Sequence, residues 1–294
     1  MASGQGGSIP MRSNNPVFAR AEGFNGQTAQ SYGNQGYPAG GQGYQGYGQG
    51  YGQAPYPQTT DPSSWQHPAG PAVQDRMTID SVVNRTAIML LIVVATAAAT
   101  WVAMPERYLG PAWMIGAFGG LGLSFAISFM RKVSPALVIA YAVLEGVFLG
   151  AVSETFEYLF DGVVPGAVMG TTAAFAATLA AYKFFDIQVN DKFRKFVTIA
   201  MFGFFAVVML DFVLSIFGNQ IGFNGFGTLG LITSFVGLGI GILMLILDFD
   251  IVERGVAAGL PEQESWRAAF GLVVTLIWIY IQMLRILAIL QSDN

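Results

Sequence analysis

Cysteine is absent from this chain of 294 residues, and histidine occurs once, as His67. Without cysteine there is no disulfide framework, no thiolate nucleophile and no thiolate-based metal site. His67 lies outside every long apolar segment, so intramembrane Ser-His hydrolysis and histidine-ligated zinc chemistry each lack a required residue. We therefore expect that the protein is not an enzyme.

Charge is also scarce, because only 11% of the residues are Asp, Glu, Lys or Arg and the formal net charge is −4. The few Lys and Arg residues are scattered, so there is no basic face for nucleic acid. By contrast, 53% of the residues are hydrophobic and the mean hydropathy is positive. This composition lies outside the range of soluble globular chains and indicates an integral membrane protein.

The polar residues are concentrated in an N-terminal segment, residues 1–76, which is rich in Gly, Gln, Tyr, Ser and Pro. Its stretch "GGQGYQGYGQGYGQAPYPQ", residues 40–58, lacks the aliphatic content needed to form a core and predicts a disordered cytoplasmic tail. The tail is either a self-associating, prion-like segment or a solvated extension without a specific role. There is no apolar run near Met1, so a secretory signal is not predicted.

Residues 77–294 predict a seven-helix transmembrane domain, since crossing about 30 Å of hydrocarbon takes roughly 20 apolar residues. The apolar runs lie at about 86–104, 111–130, 136–156, 164–182, 196–217, 227–248 and 267–290. The predicted fold class is therefore an all-α membrane protein.

Positive residues near the ends of the spans predict the orientation, because they are retained on the cytoplasmic side. The loops after the first, third and fifth spans contain only one positive residue, Arg107. The loops after the second, fourth and sixth spans contain Arg131, Lys132, Lys183, Lys192, Arg194, Lys195, Arg254 and Arg267. We expect a multi-pass protein of the plasma membrane with a cytoplasmic N-terminus and an external C-terminus.

Small residues recur in several spans, and Gly146 and Gly150 form a GxxxG step in the third. Such a step lets two helix backbones approach closely in lipid, although scattered glycines are also ordinary in membrane helices. Together these residues predict a tightly packed bundle.

Ionisable residues within the spans are the candidate site residues, because each is costly in lipid and needs a partner or a path for water. Glu145 lies ten residues beyond Pro135, about 15 Å deep and near the midplane. Asp248 ends the sixth span and Arg131 the second, so we expect a salt bridge between them. Asp250 is about 200° away around the helix, which predicts that it faces the headgroup water.

Asp211 and Arg285 reach a common depth, about 24 to 27 Å from the inner surface, and form a possible outer pair. The alternative is that both face the outer interface. Glu253 and Arg254, like Asp250, are expected in the loop, where they would act only as anchors.

Two segments carry a resemblance to a known family. "ILDFDIV", residues 246–252, has an aspartate at the end of span six, and "WIYIQMLRILAIL", residues 278–290, has a Leu-Arg-hydrophobic ending. With a basic end to span two and a glycine-rich span three, the chain resembles the Bax inhibitor-1/YccA family over about residues 77–290. "MRSNNPVF" at 11 and "ESWRAAFGL" at 264 are similar to its actinobacterial branch.

The resemblance implies a bundle whose last helix is central and surrounded by the other six, with a pH-sensitive calcium leak through it. It also implies that an aspartate of span six shares a proton with one of span seven, and that an arginine ending span two holds the closed state. In this chain those positions fall on Asp248, Thr275 and Arg131.

Thr275 departs from the family pattern, because a carboxylate and a hydroxyl cannot share a proton as two carboxylates do. A hydrogen bond from Thr275 would favour ionised Asp248, as would Arg131. We therefore expect an ion path and pH response that involve Asp248, Glu145, Thr275 and Asp211. Glu145 and Asp248 would be weak, transient Ca²⁺ ligands, and no resident cofactor is expected.

Two functions follow. The first is a pH-sensitive cation leak channel, for calcium or protons, in which an Arg131–Asp248 pair controls closure. The alternative is a non-transporting regulator that binds a membrane protease or secretion component, which the tail would favour. A retinal protein is excluded, since residues 267–290 contain no lysine.

Overall fold

The computed structural model describes residues 76–185 and 187–292, and this part of the chain is almost entirely helical. It contains seven helices that are long and apolar enough to cross a membrane. Their bounds are α1 Ile79–Ala103, α2 Leu109–Phe129, α3 Pro135–Leu159, α4 Val163–Phe184, α5 Asp191–Ile216, α6 Thr228–Ala257 and α7 Glu264–Ser292. The predicted seven-span, all-α fold is confirmed. The predicted tail lies outside the described residues except for Arg76.

Local sequence signals account for several helix starts. Thr78 caps α1 in a capping box, in which Thr78 Oγ1 accepts from the Ser81 N–H at 3.0 Å and Ser81 Oγ accepts from the Thr78 N–H at 3.1 Å. Pro135 occupies the first position of α3, where its missing N–H has no cost. Asn190 caps α5 by accepting from the Phe193 N–H at 2.8 Å.

Helix α6 corrects one predicted boundary, because it continues to Ala257 instead of ending at residue 248. The segment "ILDFDIVERG" is therefore helical throughout. The chain turns only at Gly259, whose φ of 63° lies in the left-handed region that glycine adopts readily. The apolar run measures the hydrocarbon core, whereas the helix extends beyond it.

Helix α7 lies at the centre of the bundle and packs on α1, α3, α4 and α6. The expectation of a central last helix is confirmed; the backbones of α2 and α5 do not approach α7 closely, although the Phe204 ring of α5 lies 5.4 Å from the Trp278 ring of α7. Helix α2 packs on α3, and α5 packs on α6. Helix α5 presents large apolar side chains such as Phe202 and Phe205 on the outer surface of the bundle.

Glycines permit the closest helix contacts. A Cβ atom on Gly146 would lie 2.7 Å from the Val93 carbonyl oxygen of α1, and one on Gly150 would lie 2.5 Å from that of Ala97. Both distances are too short for a side chain, so the predicted close approach at this GxxxG step is confirmed. Helix α1 consequently packs against the full middle of α3.

The connection between α6 and α7 is fastened to the start of α1. Arg85 forms a salt bridge with Glu262, and its guanidinium lies 5.3 Å from the centre of the Trp266 ring. Ser81 and Ser265 share a hydrogen bond of 2.7 Å between their hydroxyl oxygens. We call this end of the bundle the basic end; it carries Arg85, Arg131, Arg194, Arg254 and Arg267.

Candidate functional site

Asp248 and Thr275 meet at the interface between α6 and α7. Thr275 Oγ1 donates to Asp248 Oδ2 at 2.6 Å, and Thr275 is buried with 2% of its surface exposed. The other carboxylate oxygen faces Gly271, where a Cβ atom would lie 3.5 Å from Asp248 Oδ1. The structure thus brings together the two positions that the sequence paired.

Both residues lie inside the bundle, since α6 continues beyond Asp248 to Ala257. Asp248 is nine residues from the end of α6, about 13 Å along the axis. Thr275 is eleven residues into α7, about 16 Å from its start. Asp248 therefore lies well inside helix α6, and the expectation that it ends this helix is wrong.

The expected Arg131–Asp248 salt bridge is not formed among the described residues. Arg131 follows the end of α2 at Phe129 and is exposed. Within residues 76–185 and 187–292, no ion pair includes the Arg131 or the Asp248 side chain.

A different arginine fixes the end of α2. Arg267 Nη2 donates to the carbonyl oxygen of Met130 at 2.9 Å, and its Nη1 lies 3.1 Å from Glu264 Oε2. A cation at a helix C-terminus satisfies carbonyls that have no helical partner. Arg267 therefore has a structural role that the sequence analysis did not assign to it.

Asp250 corrects a second expectation, because it is buried with 6% of its surface exposed and does not face the headgroup water. Asp250 Oδ2 lies 2.9 Å from Arg194 Nη2 of α5, and Oδ1 lies 2.9 Å from Arg254 Nε one turn later in α6. Two cations thus compensate this carboxylate. The arrangement ties α5 to α6 at the basic end.

Glu253 and Arg254 also lie in helix α6 and not in a loop. Glu253 is exposed, and its Oε2 accepts from the Tyr182 hydroxyl of α4 at 2.6 Å. Arg254 Nη2 donates to the carbonyl oxygen of Val189 at 2.5 Å. Both side chains therefore do more than anchor the helix to the headgroups, since they join α6 to α4 and to the segment before α5.

Glu145 lies in the middle of α3 with 9% of its surface exposed, as the depth count predicted. Tyr141, which is also buried, lies one turn earlier on the same helix. Gly120 of α2 provides the room, because a Cβ atom there would lie 2.5 Å from Glu145 Oε1. Glu145 thus sits between α2 and α3.

Asp211 lies near the far end of α5 and is 1% exposed. Its Oδ1 accepts from the backbone N–H groups of Ile221 at 2.7 Å and Gly222 at 3.1 Å, and its Oδ2 accepts from that of Asn224 at 2.7 Å. The connection between α5 and α6 therefore folds around this carboxylate.

Arg285 reaches the same connection from α7. Its Nη2 donates to the carbonyl oxygen of Phe223 at 3.2 Å, so Arg285 and Asp211 hold adjacent peptide groups. No salt bridge in the described part of the chain joins the two side chains directly. The depth match was correct, but the loop lies between the partners of the expected outer pair.

The expected calcium ligands do not converge. The described residues contain no group of three or more His, Cys, Asp or Glu side chains that could hold a metal ion. Glu145 is enclosed by α2 and α3, whereas Asp248 contacts α7. Any role for either carboxylate in binding Ca²⁺ is thus one of single, weak ligands and not of a cage.

Sequence reasoning missed three contacts of charged side chains: the Asp250 ion pairs, the Arg267 cap and the Asp211 loop. The spacing of Asp250 and Arg254, four residues apart, was an available signal for a continuing helix. Arg194 gave no such signal, because its partner is 56 residues away.

A helical bundle with a central last helix and carboxylates inside its spans defines a multi-pass membrane protein. The family described as Bax inhibitor 1 like matches residues 15–292, which is nearly the whole chain. This protein therefore belongs to the Bax inhibitor family. The resemblance seen in "ILDFDIV" and in the last span is confirmed.

One relative is a protein of Chlamydia muridarum (strain MoPn / Nigg) described as uncharacterized. It is 27% identical over 198 residues, which span 64% of this chain and 80% of the relative. The similarity thus covers most of the relative's length. Its description adds no activity to the family assignment.

Proposed function

We propose that this protein is a leak pathway for Ca²⁺ across the plasma membrane and that Asp248 is the carboxylate on which conduction depends. The observation that carries the proposal is the Thr275–Asp248 hydrogen bond of 2.6 Å. This bond gives the Asp248 carboxylate, which lies inside the bundle, a neutral donor. Among the described residues, Asp248 has no arginine or lysine partner.

The charge of Asp248 is costly at this position. An ionised carboxylate within a membrane costs roughly 2.5 to 3.5 kcal/mol on insertion scales unless it is compensated. A hydroxyl donor offsets part of that cost but does not neutralise the charge. A mobile cation from solution can compensate the rest of the carboxylate charge, and carboxylate oxygen is a ligand that Ca²⁺ prefers.

Weak coordination suits a pathway better than storage. Calcium takes six to eight oxygen ligands in a tight site, whereas Asp248 and Thr275 together provide few. An ion that binds at Asp248 is held long enough to enter and weakly enough to leave. Glu145, alone between α2 and α3, would act on the same ion only after a rearrangement of the bundle.

The proposed pH response follows from competition. A proton and a calcium ion bind the same Asp248 oxygen, so protonation removes the charge that attracts the cation. The Ca²⁺ leak should therefore fall as the pH is lowered. Because Thr275 stands where the family pattern has an aspartate, the response should follow one carboxylate and not a proton-sharing pair.

The orientation proposed from the positive residues places the basic end in the cytoplasm. Asp248 is then closer to the cytoplasmic surface than Asp211 is. An ion moving inward would meet the Asp211 loop first and Asp248 later.

The test is uptake of ⁴⁵Ca²⁺ into proteoliposomes that contain the full chain, measured over a pH series. We expect a leak above that of empty liposomes that decreases at acid pH. Asp248→Asn should lower the leak and flatten the pH dependence. Asp161→Asn, which changes an exposed aspartate between α3 and α4, is the matched control and should leave both unchanged.

A leak equal to that of empty liposomes at every pH would contradict the proposal. So would an Asp248→Asn variant that folds and conducts as the unaltered protein does. In the first case the non-transporting regulator becomes the better reading.

A further inference from the structure

A groove of about 470 Å³ opens on the side of the bundle between α1 and α4. Both helices border it, yet they make no backbone contact with each other in the described residues. Leu149 of α3 and Leu276, Ile277 and Tyr280 of α7 form its floor. The groove is thus a gap in the outer layer of helices that exposes the two most buried spans.

The polar side chains of the groove have partners inside the protein. Thr171 Oγ1 donates to the Ala167 carbonyl oxygen and Thr172 Oγ1 to that of Val168, each at 2.8 Å. Ser153 and Tyr280 share a hydrogen bond of 2.7 Å between their hydroxyl oxygens. Since these groups bond internally and the rest of the lining is apolar, the groove suits an apolar occupant better than water or a polar ligand.

The groove is long enough for one acyl chain. Its lining on α1 runs from Thr86 to Trp101, fifteen residues or about 22 Å along the helix axis. One leaflet of the hydrocarbon core is about 15 Å deep, since the whole core is about 30 Å. Trp101, near the end of α1, is of the residue type enriched where lipid headgroups begin.

A transmembrane helix from a second protein would leave the floor of the groove unfilled. A helix with its side chains is at least about 10 Å wide, so a whole helix cannot enter the groove and could only lie across its opening. The groove is continuous with the lipid-facing surface of α1, where Leu91, Val94 and Val102 are exposed. The surrounding medium therefore supplies the occupant directly.

We propose that the groove between α1 and α4 is a binding site for an acyl chain of a membrane phospholipid, which packs against α3 and α7. The bound chain completes the wall of the bundle beside Leu276, the residue next to Thr275. This binding does not depend on ion conduction, and it can be measured without it.

The experiment is native mass spectrometry of the full chain, purified in detergent and mixed with palmitoyl-oleoyl phosphatidylcholine. The neutral headgroup removes any contribution from net charge. Ala98→Phe places a ring in the groove, whereas Ala99→Phe places the same ring on the adjacent exposed position that does not line it. Thr172→Phe and Ala173→Phe are a second matched pair on α4 in case Ala98→Phe does not fold.

We expect a phospholipid adduct on the unaltered protein whose population falls at least about fivefold in Ala98→Phe or Thr172→Phe, because an overfilled site excludes the chain. The adduct should persist in the two control variants. Equal adducts in the groove and control variants would overturn the proposal, as would the absence of any adduct. An adduct with free oleate but none with the phospholipid would also overturn it.

Discussion

Asp211 and Asp248 are both carboxylates within the spans, but the protein satisfies them in opposite ways. Asp211 is almost completely buried and accepts three backbone N–H bonds from the α5–α6 connection. Asp248 is half-buried and accepts one hydroxyl bond, from Thr275. The first is saturated by the protein, and the second retains capacity for a proton or a cation.

The difference separates structural from functional acids. A carboxylate with several fixed backbone donors is held in its charged form by groups that cannot move away without unfolding the loop. A carboxylate with one side-chain donor can exchange that donor for another ligand. Burial alone therefore does not identify the functional carboxylate, whereas the type and number of its donors do.

The largest effect on stability should come from Asp211→Asn. An asparagine has one acceptor oxygen, so at least one of the three N–H groups loses its partner and the others lose a charged acceptor. We expect the free energy of unfolding to fall by about 3 kcal/mol. The measurement is denaturant unfolding of the purified protein in detergent micelles, with the exposed Asp161→Asn as control. Equal stability of the two variants would remove the distinction between Asp211 and Asp248.

Gly120→Ala extends the comparison to Glu145. The new Cβ atom would approach Glu145 Oε1 to 2.5 Å, so the carboxylate must shift or α2 must move away from α3. We expect a loss of about 2 kcal/mol in the free energy of unfolding. Gly122→Ala is the matched control, since its Cβ atom would meet nothing within 4 Å. A loss of the same size in both variants would show that helix α2, and not the Glu145 contact, determines the result.

Asp250→Asn tests a carboxylate that is compensated by cations instead of backbone groups. The Arg194 and Arg254 side chains are 42% and 53% exposed, so water takes over part of their solvation when the charge is removed. We expect a smaller loss, about 1.5 kcal/mol, that shrinks further in 1 M salt. Unfolding at low and high salt measures both quantities. If Asp250→Asn lowered the free energy of unfolding more than Asp211→Asn does, the two arginines would stabilise a carboxylate more than the backbone N–H groups do.

Thr275→Val should have the smallest effect on stability, about 1 kcal/mol, because it keeps the shape of the side chain and removes one hydrogen bond. The fractional loss of Ca²⁺ uptake should be larger than the fractional loss of stability, since Asp248 loses its only donor among the described residues. Thermal unfolding and ⁴⁵Ca²⁺ uptake on the same preparation separate the two effects. Thr275→Ser retains the hydroxyl and should restore the uptake. Unchanged uptake in Thr275→Val would place the pair outside the ion path.

The sequence predicted the spans because apolar length and charge at the ends report directly on the bilayer. It also indicated the Asp248–Thr275 contact, through the resemblance of spans six and seven to the family. The site of Asp250 could not be found in this way. Its partner Arg194 belongs to another helix, and the apolar run in α6 ends nine residues before the helix does.

The prediction of an outer Asp211–Arg285 pair was correct for the depth of the two residues and wrong for their direct contact, for a related reason. Counting residues placed Asp211 and Arg285 at one depth, and the structure agrees with that depth. Counting along helices gives no information about a loop between them, so the backbone donors around Asp211 were not foreseen. The same limit applies to Arg131, whose depth was matched to a helix end that lies nine residues too early.

The most direct test compares ⁴⁵Ca²⁺ uptake by proteoliposomes containing Asp248→Asn with uptake by those containing Asp250→Asn. The two substitutions remove the same charge from positions two residues apart on α6. The account predicts that Asp248→Asn abolishes most of the leak, while Asp250→Asn, once corrected for the amount of folded protein, retains it. Loss of the leak in Asp250→Asn with full uptake in Asp248→Asn would contradict the assignment of Asp248 to the ion path.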